Sequence, residues 1–203
     1  MTSIGILDYG VGNVNSLNRS FKSIGFRSIT SANKDILSQS DVLVLPGVGS
    51  FPYAMTSLKK SKLDKYIINQ AKIKKPIIGI CLGMQLLTNS SDENGVHKGL
   101  GIIPGDIKEL ANSDFHIGWN NIKVNKKLRF MNKFNNYEFF FNHGYAYSGN
   151  NKNVLSLTKY GKNNFASAII NENTIGFQFH PEKSQKAGLQ ILQSTINYLI
   201  KNQ

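Results

Sequence analysis

One cysteine, Cys81, serves the whole 203-residue chain, and that scarcity excludes an internal disulfide. A chain of this length buries a working core without disulfides or structural metal, and a lone thiol suits a reducing compartment. Long apolar runs are missing as well. No stretch approaches the roughly 20 apolar residues of a membrane span. The N-terminus, MTSIGILDYG, lacks a basic segment followed by an extended apolar one, so no signal peptide is expected and a cytoplasmic protein without a membrane partner is. Acidic residues are few, 12 Asp and Glu against 24 Lys and Arg, which leaves a formal charge of +12. Such an excess invites a nucleic-acid partner. The lysines stand singly or in pairs, however, as in LKKSKLDK, KIKKP and NKKLRF, with no RNP, zinc-finger or helix-turn-helix signature. The surplus therefore reads as a solvated surface, part of it suited to an acidic protein partner, and nucleic acid is not expected. His97, His116, His143 and His180 are scattered, and the lone cysteine has a better use, so no metal site is expected.

What is present alternates. SIGILD reads as a buried strand, and NVNSLNRSFKSIGF follows with Val14, Leu17, Phe21 and Ile24 at helical spacing. Strands RSITSA and DVLVLP, a helix across LDKYIINQAKI and the strand PIIGIC come next. Apolar runs separated by helices indicate βα units around a parallel sheet. From about Val96 the pattern changes to short β-rich segments: GLGIIPGDIKEL, GWNNIKV, YEFFFNHGYAY, VLSLTKY, FASAII and TIGFQFH. These predict antiparallel or mixed strands appended to the sheet. A last helix, from Gln185 to about Ile200, places Leu189, Leu192, Ile196 and Leu199 on one face. The segments NSSDENGVHKG and SGNNKN read as mobile loops. With no repeat or linker, residues 1–203 read as one α/β domain, a mostly parallel central sheet flanked by helices.

Within PIIGICLGMQLL, Cys81 has Gly79 two residues before it and Gly83 two residues after. That is the form of a nucleophile elbow, the strand–turn–helix corner written G-x-S-x-G when serine attacks. The start of the following helix favours a thiolate, and the Leu82 amide faces an oxyanion forming on the attacked carbonyl. A buried cysteine at a glycine-bordered strand end is the alternative on this pentapeptide alone. The segment IGFQFHPEKS decides between them. A cysteine nucleophile needs a base, and the base needs an orienting group. His180 at a strand end and Glu182 two positions on, pointing the same way in extended chain, supply both. LVLPGVGSF places Gly47, Val48 and Gly49 after a strand, where backbone N–H groups either supply a second oxyanion donor or form an ordinary strand-exit turn. DYGVGNVNS has Gly10 and Gly12 but Asn15 where a dinucleotide fingerprint has its third glycine, which excludes that cofactor reading.

GICLGMQLL together with FQFHPE resembles the class I, triad-type glutamine amidotransferase family, and the resemblance runs from Asp8 to the final helix. It implies a flavodoxin-like fold with appended antiparallel strands, hydrolysis of L-glutamine to glutamate and ammonia, and no cofactor. Residue by residue it implies Cys81 as acyl-enzyme nucleophile, His180 as base and later acid, and Glu182 as orienter. Gln85 and the segment His143, Gly144 and Tyr145 would hold glutamine, with an oxyanion amide from PGVG. DYGVGN, PGVG, GWN and HPEKS narrow the likeness to a branch that feeds a separate (βα)8-barrel cyclase subunit of histidine biosynthesis as a heterodimer. In that branch Asn13, Trp119 and Lys183 match positions facing the cyclase. The chain departs from it at Phe115 and Ile117, in FHIGWN where the family has PHMGWN, and at Asn142 and Gly144, in NHGY where it has VHSY. Both departures lie on the substrate or partner side, so a paralogue feeding a sugar-modifying amidotransferase of surface polysaccharide synthesis stays open. A non-catalytic module on this fold would have lost a triad position, and all three are here.

Overall fold

Apolar β-branched runs build the centre of the molecule. The computed structural model describes residues 2–125 and 128–202. Strand β1 (Ser3–Leu7), helix α1 (Val14–Ser23), β2 (Arg27–Ser31), α2 (Lys34–Ser38), β3 (Val42–Leu45), α3 (Phe51–Lys60), α4 (Leu63–Lys72), β4 (Ile77–Ile80) and α5 (Leu82–Leu86) follow in turn. Strands β3 and β4 are buried at every position. That is the pattern of strands covered on both faces. Asn33 starts α2 by accepting the Asp35 and Ile36 amides on its side chain, the usual work of an N-cap.

The second half supplies β5 (Ser90–Ser91), β6 (His97–Lys98), β7 (Asp106–Glu109), β8 (His116–Asn121), β9 (Lys123–Val124), β10 (Glu138–His143), β11 (Tyr145–Ser148), β12 (Val154–Tyr160), β13 (Asn163–Asn171), β14 (Thr174–Phe177) and α6 (Gln185–Lys201). One eight-stranded sheet runs β2-β1-β3-β4-β14-β13-β12-β9. Its pairings are parallel from β2 through β14 and antiparallel from β14 to β9. The parallel sheet with appended antiparallel strands is thus as the sequence predicts. A two-stranded ribbon, β8–β10, and a small sheet, β11-β7-β5-β6, complete the architecture.

Alternating residues of the central strands feed two cores. Ile4, Ile6, Val42, Val44, Ile78 and Ile80 pack with Leu17 and Phe21 of α1 and with α6. Leu43, Leu45 and Ile77 pack with Phe51, Met55 and Leu58 of α3 and with Leu63 and Ile67 of α4. Period-two alternation of a sheet covered on both faces produces this division.

Several sequence expectations need correction. The buried face of α6 is Ile191, Leu192, Thr195, Ile196 and Leu199, and Leu189 is only half-buried beside it. NSSDENGVHKG is not merely loop, because β5 and β6 pair within it and β5 runs parallel to β7. Strand β14 ends at Phe177, so His180 lies beyond it, and residues Pro181–Lys183 form a 3-10 turn rather than extended chain. Helices α2 and α3 fall in stretches where sequence periodicity gave no helix, NKDILS being too short and FPYAMTSLKK opening on proline at the second position. Proline is well tolerated in a first helical turn.

Candidate active site

The elbow is made by close approach. A β-carbon on Gly83 would stand 1.9 Å from the Leu45 carbonyl oxygen at the end of β3, and one on Gly79 would stand 2.8 Å from Met84 Cα. Only glycine lets α5 turn back so tightly onto β3 and β4. Between them Cys81 takes φ 52° and ψ −113°, strained backbone for an L-residue. Its N–H donates to the Phe177 carbonyl of β14 at 2.7 Å. The strain therefore holds the side chain at the sheet's carboxyl edge. Helix α5 has only five residues. Its dipole is correspondingly small, and His180 stands on the same cavity as the sulfur at its start.

His180 Nδ1 is 2.8 Å from Glu182 Oε1, with both side chains buried. The 3-10 turn folds residue i+2 under the ring, and this, not an extended chain, brings the pair together. Burial alone would lower the His180 pKa. The negative charges of Cys81 and Glu182 outweigh it and push the value up to about 10. Cys81 thus acts strongly on the ring, although Nε2 is buried with no hydrogen bond of ordinary geometry among the described residues. That nitrogen is free to exchange a proton with a neighbour.

Cys81 and His180 open onto a cavity of about 360 Å³ that Val48, Gly49, Ser50, Leu82, Gln85, Glu93, Phe115, Asn142, His143, Gly144 and Tyr145 also line. Of the residues expected from sequence, Val48, Gly49, Leu82, Gln85, His143, Gly144 and Tyr145 are therefore here. Gly47 is not among the lining residues. It lies under the elbow, where a β-carbon would meet the Gly83 nitrogen at 2.8 Å. The Tyr9 hydroxyl holds this strand by donating to the Pro46 carbonyl at 2.5 Å, and burial with the Cys81 charge raises the Tyr9 pKa. Sequence reasoning missed Glu93. Its only signal was an acidic residue in the supposed loop of a basic chain. Glu93 Oε2 accepts the Phe51 amide at 2.8 Å, capping α3 where Ser50 makes no side-chain cap.

The two departures from the family pattern meet at the cavity rim. A β-carbon on Gly144 would lie 3.0 Å from Phe115 Cδ2. The larger residue at 115 and the smaller one at 144 therefore accommodate each other, and the cavity stays open.

Behind the wall, His143 Nδ1 contacts the Tyr145 carbonyl at 2.9 Å, His143 Nε2 contacts His116 Nδ1 at 3.3 Å, and Asn120 Nδ2 contacts His116 Nε2 at 3.4 Å. A carbonyl only accepts, so His143 carries its proton on Nδ1 and receives one from His116 Nδ1–H. His116 in turn accepts from Asn120, and both rings are neutral. Burial lowers His116 to about 4 and His143 to about 3. Folding depresses both values. Stability from the neutral pair is present above the ordinary histidine value of 6.5 and is lost as pH falls through about 4 and then about 3. Below pH 6.5 the unfolding free energy in urea is expected to drop steadily. His116→Phe, which keeps the stack between Phe141 and Tyr160, should flatten that slope. Equal slopes in the two proteins would contradict the neutral pair.

Trp119 and Lys183 share one surface patch. On the outer face of the β8–β10 ribbon, the Trp119 ring lies 6.1 Å from that of Phe140, and Lys183 Nζ sits 5.7 Å from the Phe140 centroid. Phe115, Ile117 and Trp119 are all exposed there, at 56%, 62% and 46%. Asn13 is exposed at the N-cap of α1, which packs on the Pro181–Lys183 turn.

An elbow cysteine and a buried histidine–carboxylate pair thus face one cavity at the carboxyl edge of an α/β sheet, the arrangement a cysteine nucleophile needs. The glutamine amidotransferase class-I family profile matches residues 5–197, and the chain belongs to that family. More particularly, it is 41% identical over 203 residues to imidazole glycerol phosphate synthase subunit HisH 2 of Methanococcus maripaludis, covering 95% of this chain and 98% of that one. Subunit HisH of the same synthase from Aquifex aeolicus is 40% identical over 194 residues, covering 93% of each chain. Among solved structures, PurLQS from Thermotoga maritima superposes with a TM-score of 0.77 at 20% identity, over 98% of this chain and 99% of that one. A glutamine amidotransferase follows at 0.75 and 14%, over 98% of each chain. At such low identity these two speak for the fold alone.

Proposed function

We propose that residues 1–203 form one glutaminase domain in which Cys81, His180 and Glu182 are the catalytic triad. The observation that carries the roles is the buried His180–Glu182 pair, 2.8 Å apart, opening onto the same cavity as the only cysteine. Sγ attacks the side-chain carbonyl carbon of L-glutamine, and its oxyanion meets backbone amides of Leu82 and of the Val48–Gly49 segment. The imidazolium gives its Nε2 proton to the leaving nitrogen, the C–N bond breaks, and ammonia departs from a γ-glutamyl thioester. Acylation removes the thiolate charge that helps hold the imidazolium proton, so the proton leaves at the step that needs it. Neutral His180 then takes a proton from water, which attacks the thioester and releases glutamate and the thiol. Glu182 holds the ring throughout. Glu93 supplies the carboxylate of the cavity and suits the α-ammonium of glutamine, while Gln85, His143, Gly144 and Tyr145 shape the remaining wall.

The chain is the glutaminase subunit of imidazole glycerol phosphate synthase, in histidine biosynthesis. The relatives named above support that acceptor, and the sugar-modifying alternative is not favoured. The finer reading is a heterodimer with a (βα)8-barrel cyclase that turns the ammonia and its nucleotide substrate into imidazole glycerol phosphate and an aminoimidazole carboxamide ribotide. The exposed apolar side chains Phe115, Ile117 and Trp119, with half-buried Phe140 under Lys183, suit that contact, and Asn13 is exposed at the start of α1. A cytoplasmic location fits a subunit of a biosynthetic enzyme. Among the described residues no helix is long and apolar enough to cross a membrane. The test is glutamate release from glutamine by the chain alone, then with the cyclase subunit and its nucleotide ligand. A rise on the order of 10–100-fold is expected. Equal release in both mixtures would remove the partner from the reading.

A further inference from the structure

The hydrogen-bond chain behind the cavity reaches the sulfur through a residue no step above has used. Gln178 is fully buried between β14 and His180, with its backbone N–H on the Ser167 carbonyl at 3.0 Å. Gln85 Nε2 lies 2.9 Å from the Tyr145 carbonyl and 3.2 Å from Gln178 Oε1. The carbonyl only accepts, which fixes the Gln85 amide with its nitrogen inward. The second Gln85 hydrogen then goes to Gln178 Oε1, and this fixes the Gln178 amide in turn. Its own nitrogen is left facing Cys81 Sγ at 4.0 Å. One backbone carbonyl thus sets every proton in the series, with the neutral His143 ring completing its other lone pair.

We propose that Gln178 is a positioning residue which directs an N–H at the Cys81 sulfur and at the same time locks the cavity-lining Gln85. The proposal rests on the reading of Cys81 as nucleophile. A buried amide aimed at sulfur favours the thiolate, since a hydrogen bond to a charged group is stronger than one to a neutral group. The Asn142 carbonyl, at 3.7 Å from Sγ, only accepts and so favours the thiol. Gln178 and Asn142 therefore pull the sulfur towards opposite protonation states.

The experiment is alkylation of Cys81 by iodoacetamide across pH, which the single cysteine makes specific to one site. In Gln178→Met, which fills similar volume without a donor, the midpoint of the rate profile is expected to move up by about one pH unit, so that alkylation is about tenfold slower on the acid side of both midpoints. The deficit should close on the alkaline side of both midpoints, where the sulfur is ionised in either protein. A purely structural role predicts a pH-independent change in rate, and an unchanged profile in a folded variant overturns the proposal. Should the variant fail to fold, 15N-glutamine-labelled wild-type protein serves instead. One Gln178 amide proton is expected to shift as the thiol titrates, and an unmoved amide overturns the proposal. The reading beneath is tested separately: if fully alkylated wild-type protein, assayed with its cyclase, still hydrolyses glutamine, then Cys81 is not the nucleophile at all.

Discussion

Replacing Cys81 by alanine is expected to lower glutamine hydrolysis by about 10⁴-fold or more, the scale seen when a nucleophile is removed from a triad that acts as a unit. The same variant, paired with its cyclase and given ammonium salts, should make product at the wild-type rate, because external ammonia bypasses the thioester. The substitution keeps the β-carbon and so keeps the backbone environment of residue 81, strained φ included. Stability should fall only by the share of the His180 interaction that the Cys81 charge supplies, since the side chain otherwise loses one sulfur atom at the cavity edge. An equal loss of ammonia-dependent synthesis would mean that the cysteine supports the fold or the interface. One consequence separates this from simple damage. The Cys81 charge helps raise the His180 pKa, so NMR titration of that imidazole in Cys81→Ala should give a lower value. Folding raises this group's pKa, so the stability it adds is present below pH 6.5 and lost as pH rises through about 10. The variant should lose that alkaline dependence at a lower pH than wild type.

The second large effect belongs to a residue with no side chain. Gly83→Ala puts a β-carbon 1.9 Å from the Leu45 carbonyl oxygen, with Leu45 C at 2.8 Å. Backbone on both sides cannot yield as a flexible side chain would, so α5 must move off β3. Overpacking of this kind costs about 3 kcal/mol, or a melting temperature lower by roughly 6–12 °C for a chain of this size. Activity should suffer more than stability. The helix carries Leu82 and Gln85, and a displacement of about 1 Å at a reacting centre costs on the order of 100-fold. A variant with wild-type melting and wild-type kcat would show that the close approach at the elbow is not needed.

How legible was this in the sequence? The parallel half could be read because its strands are continuous apolar runs, VLVL and IIGI, buried on both faces. The elbow could be read because two glycines at fixed spacing have few other uses. The His180–Glu182 pair was found for a partly wrong reason. Spacing of two suggested extended chain, and Pro181 instead opens a 3-10 turn that reaches the same geometry. Glu93 was hidden because its part in the cavity wall depends on β5 and β6, two-residue strands too short to leave a periodic pattern. Gln178 was hidden differently. Nothing in FQFHPE distinguishes a glutamine that spaces a strand from one whose amide is fixed by Gln85. Only the direction of hydrogen bonds from the Tyr145 carbonyl makes that distinction.

The central claim is a covalent intermediate on Cys81, and its most direct test is mass spectrometry of the acid-quenched complex during turnover of glutamine. The account predicts a γ-glutamyl thioester on the peptide that carries Cys81, present during turnover and absent once glutamine is exhausted. Continued turnover with Cys81 unmodified, and glutamate still released by Cys81→Ala at the wild-type rate, would contradict it.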